Sequence, residues 1–174
     1  YKTTDAGATW NTLGLGVAIT YGNRNAEGMV LDPVNHADIL VTMVDSLPKL
    51  WHWNNSTTQW NEVTPNLTAV PKRTVVLATS LNNVYALYID TNGVKRIDVS
   101  MDGGITWTLH GTTTHYGPIL LVSEADQEIM YIGDATVPNF RTIFKSINGG
   151  ASFIKVSEYW PTTPYHGVYT HGDI

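Results

Sequence analysis

Asp45, Asp90 and Asp134 recur 15, 17 and 19 residues before a large aromatic (Trp60, Trp107 and Phe153), each where a short apolar run gives way to a turn. Carboxylates repeated at one level of a repeating fold would form an acidic arc. Such an arc binds a cation or, where two carboxylates approach within ~5–9.5 Å, supplies the pair that glycoside hydrolysis requires. Asp also starts turns well, as in Asp90-Thr91-Asn92-Gly93, so a turn-capping role is open for the same residues. A second set is aromatic. Tyr21 and Arg24 lie in a Gly-rich connection, His115 and Tyr116 in another, and Trp160 and Tyr165 in the stretch Tyr159-Trp160-Pro161-Thr162-Thr163-Pro164-Tyr165-His166. Flat rings beside hydroxyl and amide groups make stacking platforms for sugars, and equally they pack against a neighbouring sheet. His166, His171 and Asp173 are the nearest approach to a metal set. Zinc wants three or four converging ligands, and this spacing on a strand end does not supply them, so no metal and no other cofactor is expected.

Composition narrows the function classes. The chain has 174 residues, a net charge of −5, 43% hydrophobic content and no cysteine. There is thus no basic field for nucleic acid or an anionic membrane surface, no disulfide and no thiolate metal site. No apolar run reaches the length of a spanning helix, so membrane insertion is not expected. Short runs rich in β-branched and aromatic residues, bounded by Asn, Asp, Gly and Pro, predict strands joined by tight turns. The fold class is all-β.

These strands must position the groups above, and a repeat sets their register. Thr3-Thr4-Asp5-Ala6-Gly7-Ala8-Thr9-Trp10, Ser100-Met101-Asp102-Gly103-Gly104-Ile105-Thr106-Trp107 and Ser146-Ile147-Asn148-Gly149-Gly150-Ala151-Ser152-Phe153 share one eight-residue pattern, here called a box. A decayed copy ends at Trp60, keeping Asn55 and the aromatic. The closing aromatics are spaced by 50, 47 and 46 residues, which fits a four-stranded repeating unit. Within the units, Met29–Asp32, Val75–Thr79 and Ile119–Val122 read as first strands, and Ile39–Val44, Val84–Ile89 and Ile129–Ile132 as second strands, with third and outer strands flanking each box. The box residues themselves read as structural. Asp5, Asp102 and Asn148 accept turn amides, Gly7, Gly104 and Gly150 take left-handed φ, and Trp10, Trp107 and Phe153 fill the space between units.

This pattern resembles the Asp-box (BNR) repeat of sialidase-like β-propellers, and Asp32-Pro33-Val34-Asn35 resembles the D-P-x-N turn of many such proteins. The resemblance implies a β-propeller segment over 1–174, of about three and a half four-stranded blades, with blade ends near Trp10, Trp60, Trp107 and Phe153 and a further blade starting at 167–174. It implies a bacterial extracellular or cell-surface protein whose targeting segment lies outside this chain. The rest of a longer polypeptide, or a second copy, would complete the ring. Two functions follow from it. One is a non-catalytic binding or scaffolding segment that recognises glycan or protein. The other is part of a glycoside hydrolase, xyloglucanase- or sialidase-like. Gly172-Asp173-Ile174 resembles the xyloglucanase stretch that carries a catalytic Asp, which makes Asp173 the candidate there. The F/Y-R-I-P stretch of sialidases is missing from the sequence.

Overall fold

The computed structural model describes residues 1–13, 25–44, 48–64, 67, 71, 75–137 and 140–156. These residues are all-β. Three four-stranded antiparallel sheets follow one another along the chain. The first comprises β1 (Asn25–Leu31), β2 (Ile39–Val44), β3 (Pro48–Asn54) and β4 (Gln59–Glu62); the second β5 (Val76–Ser80), β6 (Asn83–Ile89), β7 (Lys95–Ser100) and β8 (Thr108–Thr113); the third β9 (Ile119–Val122), β10 (Met130–Val137), β11 (Phe140–Ser146) and β12 (Ile154–Lys155). Each sheet is a meander in sequence order, as short connections dictate. The first strands lie side by side, β5 between β1 and β9, so the sheets are gathered along that edge.

Burial explains the strand sequences. The middle sheet is covered on both sides, so β6 reads as the near-continuous apolar run Asn83-Val84-Tyr85-Ala86-Leu87-Tyr88-Ile89 rather than an alternating one. Side chains alternate across a strand. Val84, Ala86 and Tyr88 therefore join Leu40, Leu50, Val63 and Trp107 in a core between the first and second sheets. Tyr85 and Leu87 join Ile97, Leu120, Met130 and Ile132 in a core between the second and third. Ser80 Oγ donates to the Ser123 carbonyl at 2.7 Å and Gln127 donates back to the Ser80 carbonyl at 3.2 Å, tying these two sheets at their turn ends.

Several bounds differ from the sequence expectation. β1 begins at Asn25, four residues before the expected Met29, and ends at Leu31, which leaves Asp32 to the turn. β5 and β6 are joined by two residues only, Leu81 and Asn82, and Leu81 takes the positive φ of 51° that a tight hairpin requires. β10 runs on to Val137, so Asp134 lies inside that strand, opposite Thr142, and does not end it. An irregular register between Asp134 and Val137 lets the pairing continue past the apolar run.

Candidate functional site

The boxes carry the densest polar chemistry, and it is turned inward. In each, the first hydroxyl (Thr3, Ser100, Ser146) accepts from the amide of Gly7, Gly104 or Gly150 at 2.8, 2.8 and 2.9 Å. The same hydroxyl donates to Asp5, Asp102 or Asn148 at 2.7, 2.8 and 2.9 Å. That side chain in turn accepts the amide of Thr9, Thr106 or Ser152 at 2.8, 2.8 and 2.9 Å. A last bond closes the ring, and here the boxes differ. Thr9 and Thr106 hydroxyls donate to carboxylates, whereas the Asn148 amide donates to Ser152. The Asp→Asn exchange reverses one bond and keeps the shape.

Packing gives the other reason for these residue types. Gly104 has φ +87°, and a Cβ there would lie 2.0 Å from a Leu40 methyl of the preceding sheet. Gly150 likewise closes on Ile97 of the preceding sheet, where a Cβ would lie 2.9 Å away. Each of these two boxes is therefore pressed onto the sheet before it. Trp107 and Trp10 each donate an indole N–H to their own box glycine, at 2.9 Å (Gly104) and 3.1 Å (Gly7). Of the two, only Trp107 fills a joint between sheets as expected, for Trp10 is 59% exposed. The unit ending at Trp60 has no such glycine, and its indole N–H reaches the Leu13 carbonyl at 3.2 Å.

The rings make the box acids strong. At Asp5, hydrogen bonds led by those from the Thr9 side chain and amide hold the carboxyl down at about 2. At Asp102, burial pushes upward but is outweighed by bonds from the Thr106 side chain and amide, Ser100 and the Ile105 amide, and the pKa is lowered. A lowered folded-state pKa contributes stability above the unfolded value of ~3.9 that is lost as pH falls through the folded one. Asp102→Asn reproduces the uncharged third box. Its thermal midpoint is expected to fall less than that of the wild type when the pH is taken from ~4 to ~2, measured by circular dichroism melts across that range.

Asp90 does not present a free carboxylate. It is buried, with Oδ1 accepting from the Asn92 and Val94 amides at 2.8 and 2.9 Å, so it caps the β6–β7 turn. Its other oxygen lies 3.8 Å from the Arg96 guanidinium, whose Nε is 3.7 Å from the fully buried Asp98. Tyr88 donates its hydroxyl to Asp98 at 2.8 Å. This charged cluster lies on the face of the second sheet that packs against the first, and it is closed to a substrate. Asp45 lies outside the described residues, and Asp134 is placed by its backbone alone.

Among the aromatic candidates, the His115 ring stacks on Phe144 with centroids 3.6 Å apart and meets Phe153 edge-on at 5.8 Å. Tyr116 packs half-buried against the same core. Both are thus used between the second and third sheets. At the box end of that interface Tyr85 is buried, and its ring meets His110 edge-on at 5.6 Å. Burial raises its hydroxyl pKa, the Glu128 charge adds to the rise, and a hydrogen bond with Asn83 opposes it. Tyr21, Arg24, Trp160, Tyr165 and Asp173 lie outside the described residues, as do His166 and His171.

An accessible site appears where no residue had been singled out. The face of the first sheet turned away from the second carries Met29, Leu31, Ile39, Val41 and Met43. It borders a cleft of about 860 Å³, closed on its other side by the segment Tyr1–Thr3 with Thr12 and Leu13. Lys2 holds that segment through a 2.9 Å bond to Asn55. Met29 and Leu31 remain 68% and 54% exposed, so the segment covers the face only in part. The size is that of a ligand cleft and the wall is apolar. No family model matches the chain, and no curated protein matches it.

Proposed function

We propose that this chain is a segment of an Asp-box β-propeller, its three sheets being blades, and that it serves as a non-catalytic binding or scaffolding unit at the cell surface. Support for the propeller reading comes from first strands gathered along one edge and from boxes that close on the preceding sheet. The observation that carries the binding function is the open face of the first sheet. It offers a broad aliphatic and thioether surface, bordered by Tyr1, Lys2, Thr3, His36 and Trp60, and that apolar centre suits a protein surface better than a glycan. In support of a non-catalytic role, Asp5, Asp90, Asp98 and Asp102 are all engaged in turn or ion-pair contacts.

Light scattering over a concentration series, run beside a glycan array and a hydrolysis assay on the same sugars, tests this. Self-association that Met29→Asp weakens at least tenfold, without glycan turnover, is the expected result. A clean monomer at all concentrations that turns over a glycan would replace this reading with the hydrolase one.

A further inference from the structure

The turn between β1 and β2 and the middle of β3 bring together two carboxylates and an imidazole that the box chemistry does not use. Asp32 and Asp38 bracket the turn, joined by the Asp32 amide donating to the Asp38 carbonyl at 3.0 Å. His52 sits on β3 opposite Leu40, hence on the face that meets the second sheet. All three are buried, with exposures of 6%, 5% and 4%, and one donor atom from each lies within 4.8 Å of the others.

Other bonds fix the orientation of both carboxylates. Asp32 Oδ1 accepts the Val34 and Asn35 amides at 2.8 and 3.0 Å, and Asp38 Oδ1 accepts the Asn55 amide at 2.8 Å. Across the gap, His52 Nε2 points at Asp38 Oδ2 from 3.5 Å and has no hydrogen-bond partner. That separation is long for a hydrogen bond. It is close to the ~3.4 Å between two ligands that share a tetrahedral ion at ~2.1 Å each. Two buried carboxylates and an imidazole nitrogen without a hydrogen-bond partner, gathered within one small volume, form a set that a bound cation would satisfy. Among the described residues no lysine or arginine supplies one.

We infer that Asp32, Asp38 and His52 form a binding site for a divalent transition-metal ion of the zinc class. One imidazole nitrogen with two carboxylates favours such an ion over calcium or magnesium, which take oxygen ligands. Water or a second carboxylate oxygen completes the coordination. The box turn of the second sheet forms the lid: a Cβ on Gly103 would lie 2.1 Å from Asp32 Oδ2. A site closed in this way is structural, and a bound ion neutralises the charge where the first two sheets meet.

Chelator-treated chain is titrated with Zn²⁺, and separately with Ca²⁺, by calorimetry, with Co²⁺ absorption reporting ligand geometry. One equivalent of Zn²⁺ is expected to bind and raise the melting temperature, with Co²⁺ giving visible bands and Ca²⁺ failing to compete. Asp38→Asn and His52→Gln should each weaken Zn²⁺ at least ~100-fold while circular dichroism shows the fold retained. Absence of saturable Zn²⁺ binding by the wild type, or undiminished affinity in folded His52→Gln, overturns the site. If both variants unfold, zinc-edge X-ray absorption on the wild type decides. One imidazole among oxygen ligands supports the site, and several imidazoles mark binding at other histidines and overturn it.

Discussion

Trp107→Ala is expected to cost about 3–5 kcal/mol of stability, the usual range for deleting a large buried aromatic. For a chain of this size that corresponds to a melting temperature roughly 6–20 °C lower. Trp107 is 6% exposed and packs among Leu40, Leu50, Val63 and Val84, so its ring forms part of two sheets at once. Its indole N–H also holds the Gly104 carbonyl. Truncation therefore opens a cavity at the joint and frees the box turn that closes it. Trp107→Phe is expected to lose less than half as much, because Phe153 holds the same position in the third box and packs against the next core without an indole bond. Urea unfolding of the two variants side by side checks both values. Equal losses would mean that the indole N–H matters more than the ring.

The second large effect concerns Arg96. Arg96→Met keeps most of the side chain's volume and removes the cation between Asp90 and Asp98. Breaking a buried ion pair from one side commonly costs about 3–5 kcal/mol, because the remaining charge stays in a low-dielectric interior. Asp98 is fully buried, so that penalty applies to it in full. Adding Asp98→Asn removes that carboxylate charge while leaving an acceptor for the Tyr88 hydroxyl. The double variant is expected to recover about 1–3 kcal/mol of the loss, read as the coupling energy of a double-mutant cycle. Strict additivity of the two substitutions would show that the carboxylate is neutralised by some other means.

Where local chemistry decides the structure, the sequence could be read closely. Ile39–Val44 is a strand at the same bounds in both, because Asp38 and the turn before it stop the pairing sharply. The amides accepted by Asp5, Asp102 and Asn148 and the left-handed φ of Gly7, Gly104 and Gly150 follow from residue type and spacing, whereas the bonds of the box hydroxyls emerge only in the folded turn. Asp134 shows where such reading fails. By composition its strand ends at Ile132, yet backbone pairing with β11 carries it to Val137, and pairing partners are a property of the sheet. The open face of the first sheet was not legible either. Met29 and Leu31 alternate like any half-buried strand, and nothing in that alternation reveals whether a neighbour covers them. The convergence of Asp32, Asp38 and His52 is hidden in the sequence for a similar reason. Asp32 is sufficiently explained as a turn former, and His52 reaches it only once β3 folds back along β2.

The way Gly104 and Gly150 close on the sheet before their own has one more consequence. A sheet that presses its box onto its predecessor, and receives the next box on its other side, has two unlike faces. Stacks of such units possess a direction, as bricks with a tongue and a groove do. A copy added in the same register joins head to tail. Head-to-tail contacts close into a ring when the turn per unit divides a full circle and otherwise run on as a helical filament. The pitch set by a leucine methyl against a bare glycine α-carbon thus helps decide which of these an array of such sheets becomes.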